Sequence, residues 1–249
     1  MIKINENSRI FVCGDTHGEH NISKLNIDNW PEQKVLTEND FLIQAGDFGF
    51  IWKNEPDRTE QYWLNWFDCK ENYTLFIGGN HENHKRLNEY PVIDFYGGKA
   101  SMISPKVIHL KNGYVYNFGG KTFWLFGGGL SIDKEWRVEG KSWWPEEIPD
   151  YKTMQMGMDN LEAVGYKVDY IITHTMPREC INMFKEFQTF TEKYNDPVAN
   201  YLDEVLRRML WGYKHWFSGH FHEDKNIEHY KLTIMMNKVI EIGKNNEIS

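Results

Sequence analysis

The sequence has 249 residues, of which 41% are hydrophobic and 15% aromatic, so it is a folded protein, and we expect one domain over residues 1–249. Its formal net charge of -8 argues against a broad basic face for long nucleic acid, so any nucleic-acid substrate should be short or held by its end. No apolar run approaches the length of a membrane span, so we expect a soluble protein.

The first part of the chain alternates apolar runs with polar, glycine-bounded loops. Buried strands are predicted over residues 9–13, 41–45 and 73–77. Helices are predicted over residues 21–27, 60–69 and 81–89, the last of which is closed by Pro91. The order of strand, helix and strand predicts a parallel pair joined by a right-handed crossover.

The second part begins with short strands and continues with helices. Asn-Gly and Gly-Gly turns separate the apolar runs 107–110, 113–118 and 121–126, which predicts an antiparallel meander. Residues 130–150 have no clean period and are predicted to form a long functional loop or lid. Helices are predicted over residues 150–164 and 196–210, and strands over residues 168–173, 216–218 and, at a sheet edge, up to about 242.

Side chains that can bind a metal follow five of the predicted strands. They are Asp15 and His17, Asp47, Asn80, His174, and His220 with His222. Ligands gather at the carboxyl ends of parallel strands in an open sheet, so we expect these loops to converge. A spacing of two in Asp15-x-His17 and His220-x-His222 directs both side chains to one side of an extended segment, and Asp47 can bridge two ions. Carboxylate, imidazole and amide groups without thiolate favour manganese, iron or zinc over copper.

Each of these motifs alone also fits an ordinary turn or a surface histidine. Five such strand ends in one chain are harder to explain by turn preference. Five other histidines are not counted among the ligands. His20 and His84 lie near the site in sequence; surface or helix-face positions are expected for them, with contacts to the ligand residues as the alternative. His109, His215 and His229 are expected to be structural.

The ordered set Asp15-x-His17, Gly46-Asp47, Gly79-Asn80-His81-Glu82, His174 and Gly219-His220-x-His222 resembles the motifs of the calcineurin-like metallophosphoesterases. The resemblance extends from residue 15 to residue 222. It implies an α/β fold in which a two-sheet mixed β sandwich is flanked by helices in four layers. It also implies a dinuclear metal centre, with one metal held by Asp15, His17, Asp47 and His222 and the second by Asp47, Asn80, His174 and His220. His81 would protonate the leaving group.

The chemistry implied is hydrolysis of a phosphate ester, in which two divalent ions clamp the phosphoryl oxygens and a bridging water attacks phosphorus in line. We expect Mn²⁺, with Fe, Zn or Ni as alternatives. Protein Ser/Thr phosphatases of this family continue Gly-Asp-x-x-Asp-Arg-Gly, whereas Phe48-Gly49-Phe50-Ile51 follows Asp47 here. The acid that orients the catalytic histidine and the phosphate-binding arginine are therefore absent, and the partner of His81 is left open.

Three functions remain, in order of preference. The first is a phosphodiesterase acting on nucleotides or short nucleic acids, the second a small-molecule phosphomonoesterase, and the third a metal-binding module without turnover. A protein phosphatase is disfavoured.

Residues 130–147 are expected to close over the metals as a lid. Arg137 would grip a phosphate oxygen in place of the missing arginine, because a guanidinium is a fixed fork that matches phosphate geometry. Trp143 or Trp144 would face the substrate and stack on a nucleobase, although tryptophan pairs also serve to pack a loop onto the core.

The cysteines bear on the cellular compartment. Cys13, Cys69 and Cys180 are an odd number without a Cys-x-x-Cys pair, which argues against both a disulfide framework and a thiolate zinc site. They are typical of reduced cysteines in a cytoplasmic protein. Cys13 is expected to be a small buried strand residue.

Overall fold

The chain folds into two mixed β-sheets with helices on their outer faces. The computed structural model describes residues 5–184, 187, 193 and 195–243. The strands are β1 (Ile10–Cys13), β2 (Phe41–Gln44), β3 (Tyr73–Phe76), β4 (Val92–Phe95), β5 (Gly98–Met102), β6 (Val107–Leu110), β7 (Val115–Phe118), β8 (Lys121–Phe126), β9 (Tyr170–Thr173), β10 (His215–Ser218), β11 (Lys225–Ile227), β12 (Leu232–Ile234) and β13 (Val239–Glu241). The α-helices are α1 (Arg58–Asp68), α2 (His84–Glu89), α3 (Tyr151–Ala163), α4 (Arg178–Ile181) and α5 (Pro197–Met209).

The first sheet has seven strands in the order β13-β1-β2-β3-β6-β5-β4, and the second has six in the order β11-β12-β10-β9-β8-β7. Strands β1, β2, β3 and β6 are parallel, as are β8, β9, β10 and β12. The carboxyl ends of the parallel strands therefore lie at one edge of each sheet. The predicted α/β class with a two-sheet sandwich is confirmed.

Side chains alternate between two cores along each inner strand, because successive residues of a strand point to opposite faces. In β1, Ile10 and Val12 enter the central core between the sheets, whereas Phe11 and Cys13 enter an outer core with residues of α1 and α2. A second outer core contains residues of β8, β9 and β10 together with α3, α4 and α5. Helices, sheet, sheet and helices thus form four layers. Among the described helices, none is both long and apolar enough to cross a membrane.

The predicted antiparallel meander is wrong in its first strand. β6 belongs to the first sheet, where it pairs with β3 and β5, while β7 and β8 form a hairpin in the second. The chain changes sheets at Asn112-Gly113, so this Asn-Gly pair joins the two layers instead of closing a hairpin. Both faces of β6 are buried, and the apolar pattern therefore carried no information about the sheet to which it belongs. The hairpin of β4 and β5 was not anticipated.

Two predicted helices differ in type or length. Residues 21–27 contain a short 3-10 helix, Ile22–Leu25. Helix α2 begins at His84, because the side chain of Asn83 caps it by accepting a hydrogen bond from the backbone N–H of Arg86. His81 consequently lies in the loop before the helix.

A buried ion pair joins α1 to α2, and it gives a test of the packing. The guanidinium of Arg86 donates to both carboxylate oxygens of Glu60 at 2.7 Å, and these side chains are only 8% and 5% exposed. Because a buried charge without its partner costs about 3–5 kcal/mol, Arg86→Met should lower the free energy of unfolding by about that amount in urea denaturation. The Glu60→Gln/Arg86→Met double variant should recover part of the loss. If Arg86→Met lost no more free energy of unfolding than the double variant does, the pair would not be a buried ion pair shielded from water.

Candidate active site

Loops from both sheets meet at the carboxyl ends of β1, β2, β3, β9 and β10. The Nδ1–H of His174, after β9, donates to the carbonyl of Ala45 at 2.9 Å, and the backbone N–H of His220, after β10, donates to Asp15 Oδ2 at 2.9 Å. These bonds join the two sheets. The loops therefore converge as expected, but they come from the two sheets of the sandwich and not from a single open sheet.

The first group of side chains contains Asp15, His17, Asp47 and His222. Their potential ligand atoms all lie within 4.8 Å of one another. His17 Nε2 is 3.0 Å from Asp47 Oδ2 and 3.3 Å from His222 Nε2. This is the set that the resemblance assigns to one metal.

The second group contains Asp47, His174 and His220, whose ligand atoms also lie within 4.8 Å of one another. Asn80 completes it, because its Oδ1 is 3.0 Å from His174 Nε2. Asp47 belongs to both groups. The structure thus brings together all seven residues that the sequence nominated as ligands.

The donor set fits a bound cation. Asp15 is fully buried, and its Oδ1 has no hydrogen-bond partner among the described residues. Around His174 Nε2 lie Asn80 Oδ1 at 3.0 Å, His220 Nδ1 at 3.2 Å and Asp47 Oδ1 at 3.3 Å. Burial acts to lower the pKa of His174, but Asp47 and Asp15 raise it above its usual value, so a positive charge is favoured at this point. A divalent cation held by these atoms would supply that charge in place of the proton.

The backbone of several predicted ligands is strained. His17, Asp47, His220 and His222 have φ values of 48°, 48°, 70° and 53°, in the left-handed region that non-glycine residues seldom adopt. Each costs on the order of 1–3 kcal/mol and persists only where the surroundings enforce it. The expectation that Asp15-x-His17 and His220-x-His222 are extended segments is therefore wrong, since the loop turns at the histidines.

Two glycines allow the loops to approach this closely. A Cβ at Gly46, which has a φ of 90°, would lie 2.2 Å from His174 Nδ1, and a Cβ at Gly79 would lie 2.1 Å from Asp47 Oδ1. Any other residue at either position would push apart the side chains that form the second group.

The two carboxyl groups have opposite electrostatic environments. Burial acts to raise the pKa of Asp47, but His174 and His17 hold it well below its usual range. Burial, only partly offset by His174, raises the pKa of Asp15 to about 6. Burial and the neighbouring His174 lower the pKa of His220. Asp47 is thus the fixed negative charge of the site, and Asp15 is the carboxyl group that most needs a positive partner.

His81 lies beside these groups on the wall of the cleft. Its backbone N–H donates to Asp47 Oδ1 at 2.7 Å. Its ring stacks on Trp52, with 5.5 Å between ring centroids and 19° between ring planes, and Arg137 Nη2 donates to its Nε2 at 2.9 Å. Burial lowers the pKa of His81 to about 4, although Asp47 opposes this. The partners of His81 that the sequence left open are an indole and a guanidinium.

The ends of the lid hold Asn80 in position. The Nδ2 of Asn80 donates to Ser131 Oγ at 3.1 Å, and Ser131 Oγ donates to Glu147 Oε2 at 2.6 Å. Because the amide nitrogen is engaged in this way, Oδ1 of Asn80 turns towards His174. Sequence reasoning missed Ser131 and Glu147, since a lone serine and a lone glutamate in an irregular stretch carry no signal.

The lid residues occupy different places. The guanidinium of Arg137 reaches His81 and is also paired through Nε with Asp133 Oδ1 at 2.8 Å. Trp144 is only 3% exposed and lies against the edge of Trp52, with 5.0 Å between ring centroids. Trp143 is half-buried, and the ammonium of Lys134 is 5.8 Å from its ring centroid.

A cleft of about 1180 Å³ opens over the site. It is larger than the roughly 300–1,000 Å³ that is usual for a small-molecule pocket. His17, Asp47, Asn80, His220 and His222 line its inner end, and Trp52, His81 and Arg137 line one wall. Asp15 and His174 are fully buried at the inner end.

The remaining histidines have mixed surroundings. His20 is exposed at the rim of the cleft. His84 Nε2–H donates to the carbonyl of Gly79 at 2.8 Å, which places it directly behind the Asn80 loop. His109 is buried beside Phe76.

Comparison with known proteins agrees with this geometry. A family model described as calcineurin-like phosphoesterase matches residues 8–224. Among curated proteins, the lariat debranching enzyme of Danio rerio is 25% identical over 245 residues, that of Homo sapiens is 26% identical over 253 residues, and that of Schizosaccharomyces pombe is 27% identical over 160 residues. These matches cover 86%, 86% and 60% of this chain, but only 40%, 42% and 33% of the relatives.

The two groups predict how metal binding responds to single substitutions. Asp47→Asn should weaken both metal sites, because Asp47 belongs to both groups. Ser131→Ala should weaken only the site that contains Asn80, by about 10–100-fold, because it removes an outer partner of the ligand. His81→Ala should keep both metals. Equilibrium dialysis against Mn²⁺ followed by metal analysis measures all three, and an equal loss in His81→Ala and Asp47→Asn would contradict this assignment.

Proposed function

Because the chain belongs to the calcineurin-like phosphoesterases, we propose that it is a metal-dependent phosphodiesterase that acts on nucleotides or short nucleic acids. One observation carries the proposal: Asp47 is shared by two groups of metal-ligating side chains at the inner end of a large cleft. A carboxylate that belongs to both groups would hold two ions close enough together to act on one phosphoryl group. The chain spans about 40% of the length of the first relatives, so their activity is carried over only as part of this proposal.

The proposed cofactor is a pair of divalent ions, Mn²⁺ in the first place, with Fe, Zn or Ni as alternatives. Asp15, His17, Asp47 and His222 would hold one ion, and Asp47, Asn80, His174 and His220 the other. When bound, the ions would supply Lewis acidity and lower the pKa of a water molecule that serves as the nucleophile. Oxygen and imidazole ligands without a thiolate support this range of metals.

His81 is proposed to protonate the leaving group. Its Nε2 accepts a hydrogen bond from Arg137, and that atom has to carry the proton during the reaction. A phosphate oxygen is a stronger acceptor for a guanidinium than a neutral imidazole is. The substrate would therefore draw Arg137 onto a phosphate oxygen and release Nε2, and the negative charge of the ester would favour the protonated ring.

A diester of nucleotide type is preferred to a monoester for two reasons. The relatives are named lariat debranching enzymes, which suggests a substrate larger than a small monoester. The cleft also exceeds the volume that a small monoester needs, and its lining holds no surplus of basic side chains, because Lys53 is paired with Asp57 and Arg137 with Asp133. Together with the net charge of -8 this disfavours a ligand with many phosphates, so a short substrate, or the end of a longer one, fits best.

Stacking of a nucleobase on Trp143 or Trp144 stays a prediction. Trp144 is buried against Trp52 and is not among the residues that line the cleft, so it would have to move in order to reach a substrate.

We further propose that the protein is a single domain and is cytoplasmic. The central core, to which β1, β2, β9 and β10 all contribute, supports the first point. The free thiols of Cys13, Cys69 and Cys180 support the second.

A substrate screen of the metal-loaded protein tests the proposed function. We expect turnover of bis(p-nitrophenyl) phosphate and of at least one 2',3'-cyclic nucleotide or lariat, with lower efficiency on p-nitrophenyl phosphate. Removal of metal with a chelator should abolish turnover, and Mn²⁺ should restore it. A clear preference for the monoester would favour the phosphomonoesterase instead, and full activity after exhaustive chelation would contradict the mechanism.

Arg137 provides a second test. Arg137→Ala should lower kcat/KM on diesters by about 10–100-fold, which is the scale of a lost charge-assisted hydrogen bond of about 1.5–3 kcal/mol. Arg137→Lys should recover only part, since an ammonium keeps the charge but not the fork. Steady-state kinetics measure this effect, and metal analysis of each variant serves as the control. An Arg137→Ala enzyme with unchanged kcat/KM would exclude a contact with the phosphate.

A further inference from the structure

We propose that Trp52 is the residue that positions the ring of His81 for proton transfer, in place of the carboxylate that protein phosphatases of this family use. This inference rests on the proposed function and adds a positioning residue to it. Sequence reasoning did not single out Trp52, which follows the positions where the missing acid and arginine were expected.

Burial of the preceding residues directs Trp52 to the cleft. Phe50 and Ile51 occupy the positions of the absent acid and arginine, and they are only 5% and 0% exposed. Phe50 packs against Trp63 and Phe67 in the outer core, with 5.6 Å between ring centroids in each pair. The chain therefore uses these positions mainly for packing, although Phe50 also borders the cleft, and the next side chain, Trp52, lines the cleft as well.

The backbone on both sides of Trp52 is fastened to the residues that follow His81. The carbonyl of Ile51 accepts a hydrogen bond from the backbone N–H of Asn83 at 2.8 Å, and the carbonyl of Lys53 accepts one from Asn83 Nδ2 at 3.2 Å. Asn83, two residues after His81, thus donates hydrogen bonds to the residue before Trp52 and to the residue after it. These two hydrogen bonds couple the loop that carries the indole to the loop that carries the imidazole.

The rings themselves leave His81 little freedom to rotate. Trp52 covers one face of the imidazole in a nearly parallel stack, and Trp144 lies against Trp52 at 78° as a buried support. His17 meets the imidazole at 85°, with 4.7 Å between ring centroids. Offset stacked and edge-to-face contacts between rings are favourable beyond the burial of area. Together they restrict the ring of His81 to one plane.

This arrangement differs chemically from a carboxylate partner. A carboxylate would bond to one ring nitrogen and so fix both the orientation and the tautomer of the histidine. An indole face fixes the plane of the ring and leaves both nitrogens available. Nε2 can then exchange its contact with Arg137 for a contact with the leaving group while the ring stays in position.

The experiment uses Trp52→Leu, which removes the aromatic ring, and Trp52→Phe, which keeps a smaller one. Trp211→Leu is the control, because Trp211 precedes β10 and so lies at the opposite end of that strand from His220. Each variant is assayed on diesters with a p-nitrophenol leaving group and with an alkyl alcohol, which needs a proton to depart. Trp52→Leu should lower kcat on the alkyl ester by about 10–100-fold, within the 10²–10⁴-fold range of general acid catalysis, with little change in KM. Trp52→Phe should recover most of this loss, and the p-nitrophenyl ester should be affected far less.

A double variant asks whether Trp52 acts through His81. If it does, adding Trp52→Leu to His81→Ala should cause no further loss, since residues that act as a unit are not additive. An additive loss, or a rise in KM that is the same for both leaving groups, would overturn the proposal and show that Trp52 binds the substrate.

Nuclear magnetic resonance of ring-labelled histidine gives a readout that does not depend on turnover. The His81 signal, identified by its absence in His81→Ala, should be a single shielded resonance in the native protein and in Trp52→Phe. It should lose its shielding and broaden or split in Trp52→Leu. An unchanged, single His81 signal in Trp52→Leu would overturn the positioning role of Trp52. If the native protein were inactive on every ester, the proposed function would be overturned. The resonance measurement would still show whether Trp52 orients the ring of His81.

Discussion

The site depends on one buried carboxylate at the junction of two sheets. Asp47 lies in the loop that follows β2 of the first sheet, yet its oxygens reach His17 on a neighbouring loop and His174 from the second sheet. The same carboxylate accepts a hydrogen bond from the backbone N–H of His81, so it also fixes the backbone position of the proposed general acid. Its left-handed backbone and its burial are both costly. These costs are tolerated because the histidines around Asp47, and any cation held by the two groups of side chains, compensate its negative charge.

The residues at this junction could be predicted from the sequence, whereas the arrangement of strands that brings them together could not. Asp15, Asp47, Asn80, His174 and His220 follow short apolar runs, and the end of a buried strand is a local property that a sequence displays. The sheet to which each strand belongs depends on contacts across the whole chain. For that reason the sequence predicts the wrong partners for β6, and it predicts extended segments at Asp15-x-His17 and His220-x-His222, although the three histidines there have left-handed backbones.

The supporting residues were harder to foresee, because none of them has a distinctive spacing. Trp52 is 29 positions from His81, and Ser131 is 51 positions from Asn80. The departure from the family pattern after Asp47 did indicate that something else must hold His81. Its replacement could be identified only in three dimensions, since it depends on Phe50 and Ile51 being buried, which brings the next residue to the cleft.

The proposed function requires the two ends of the lid to stay fixed and its outer part to move. Its two ends, Ser131 and Glu147, are 2% and 1% exposed and hold the amide of Asn80, so movement there would disturb a predicted metal ligand. Between them, Trp136 is 88% exposed and Val138 is 56% exposed, and few packing contacts restrain such a segment. Arg137 lies in this outer part, although it contacts His81. Under the proposed function, a substrate would draw Arg137 towards its phosphate by moving the outer part of the lid alone, while the fixed ends would keep Asn80 directed at the proposed metal site.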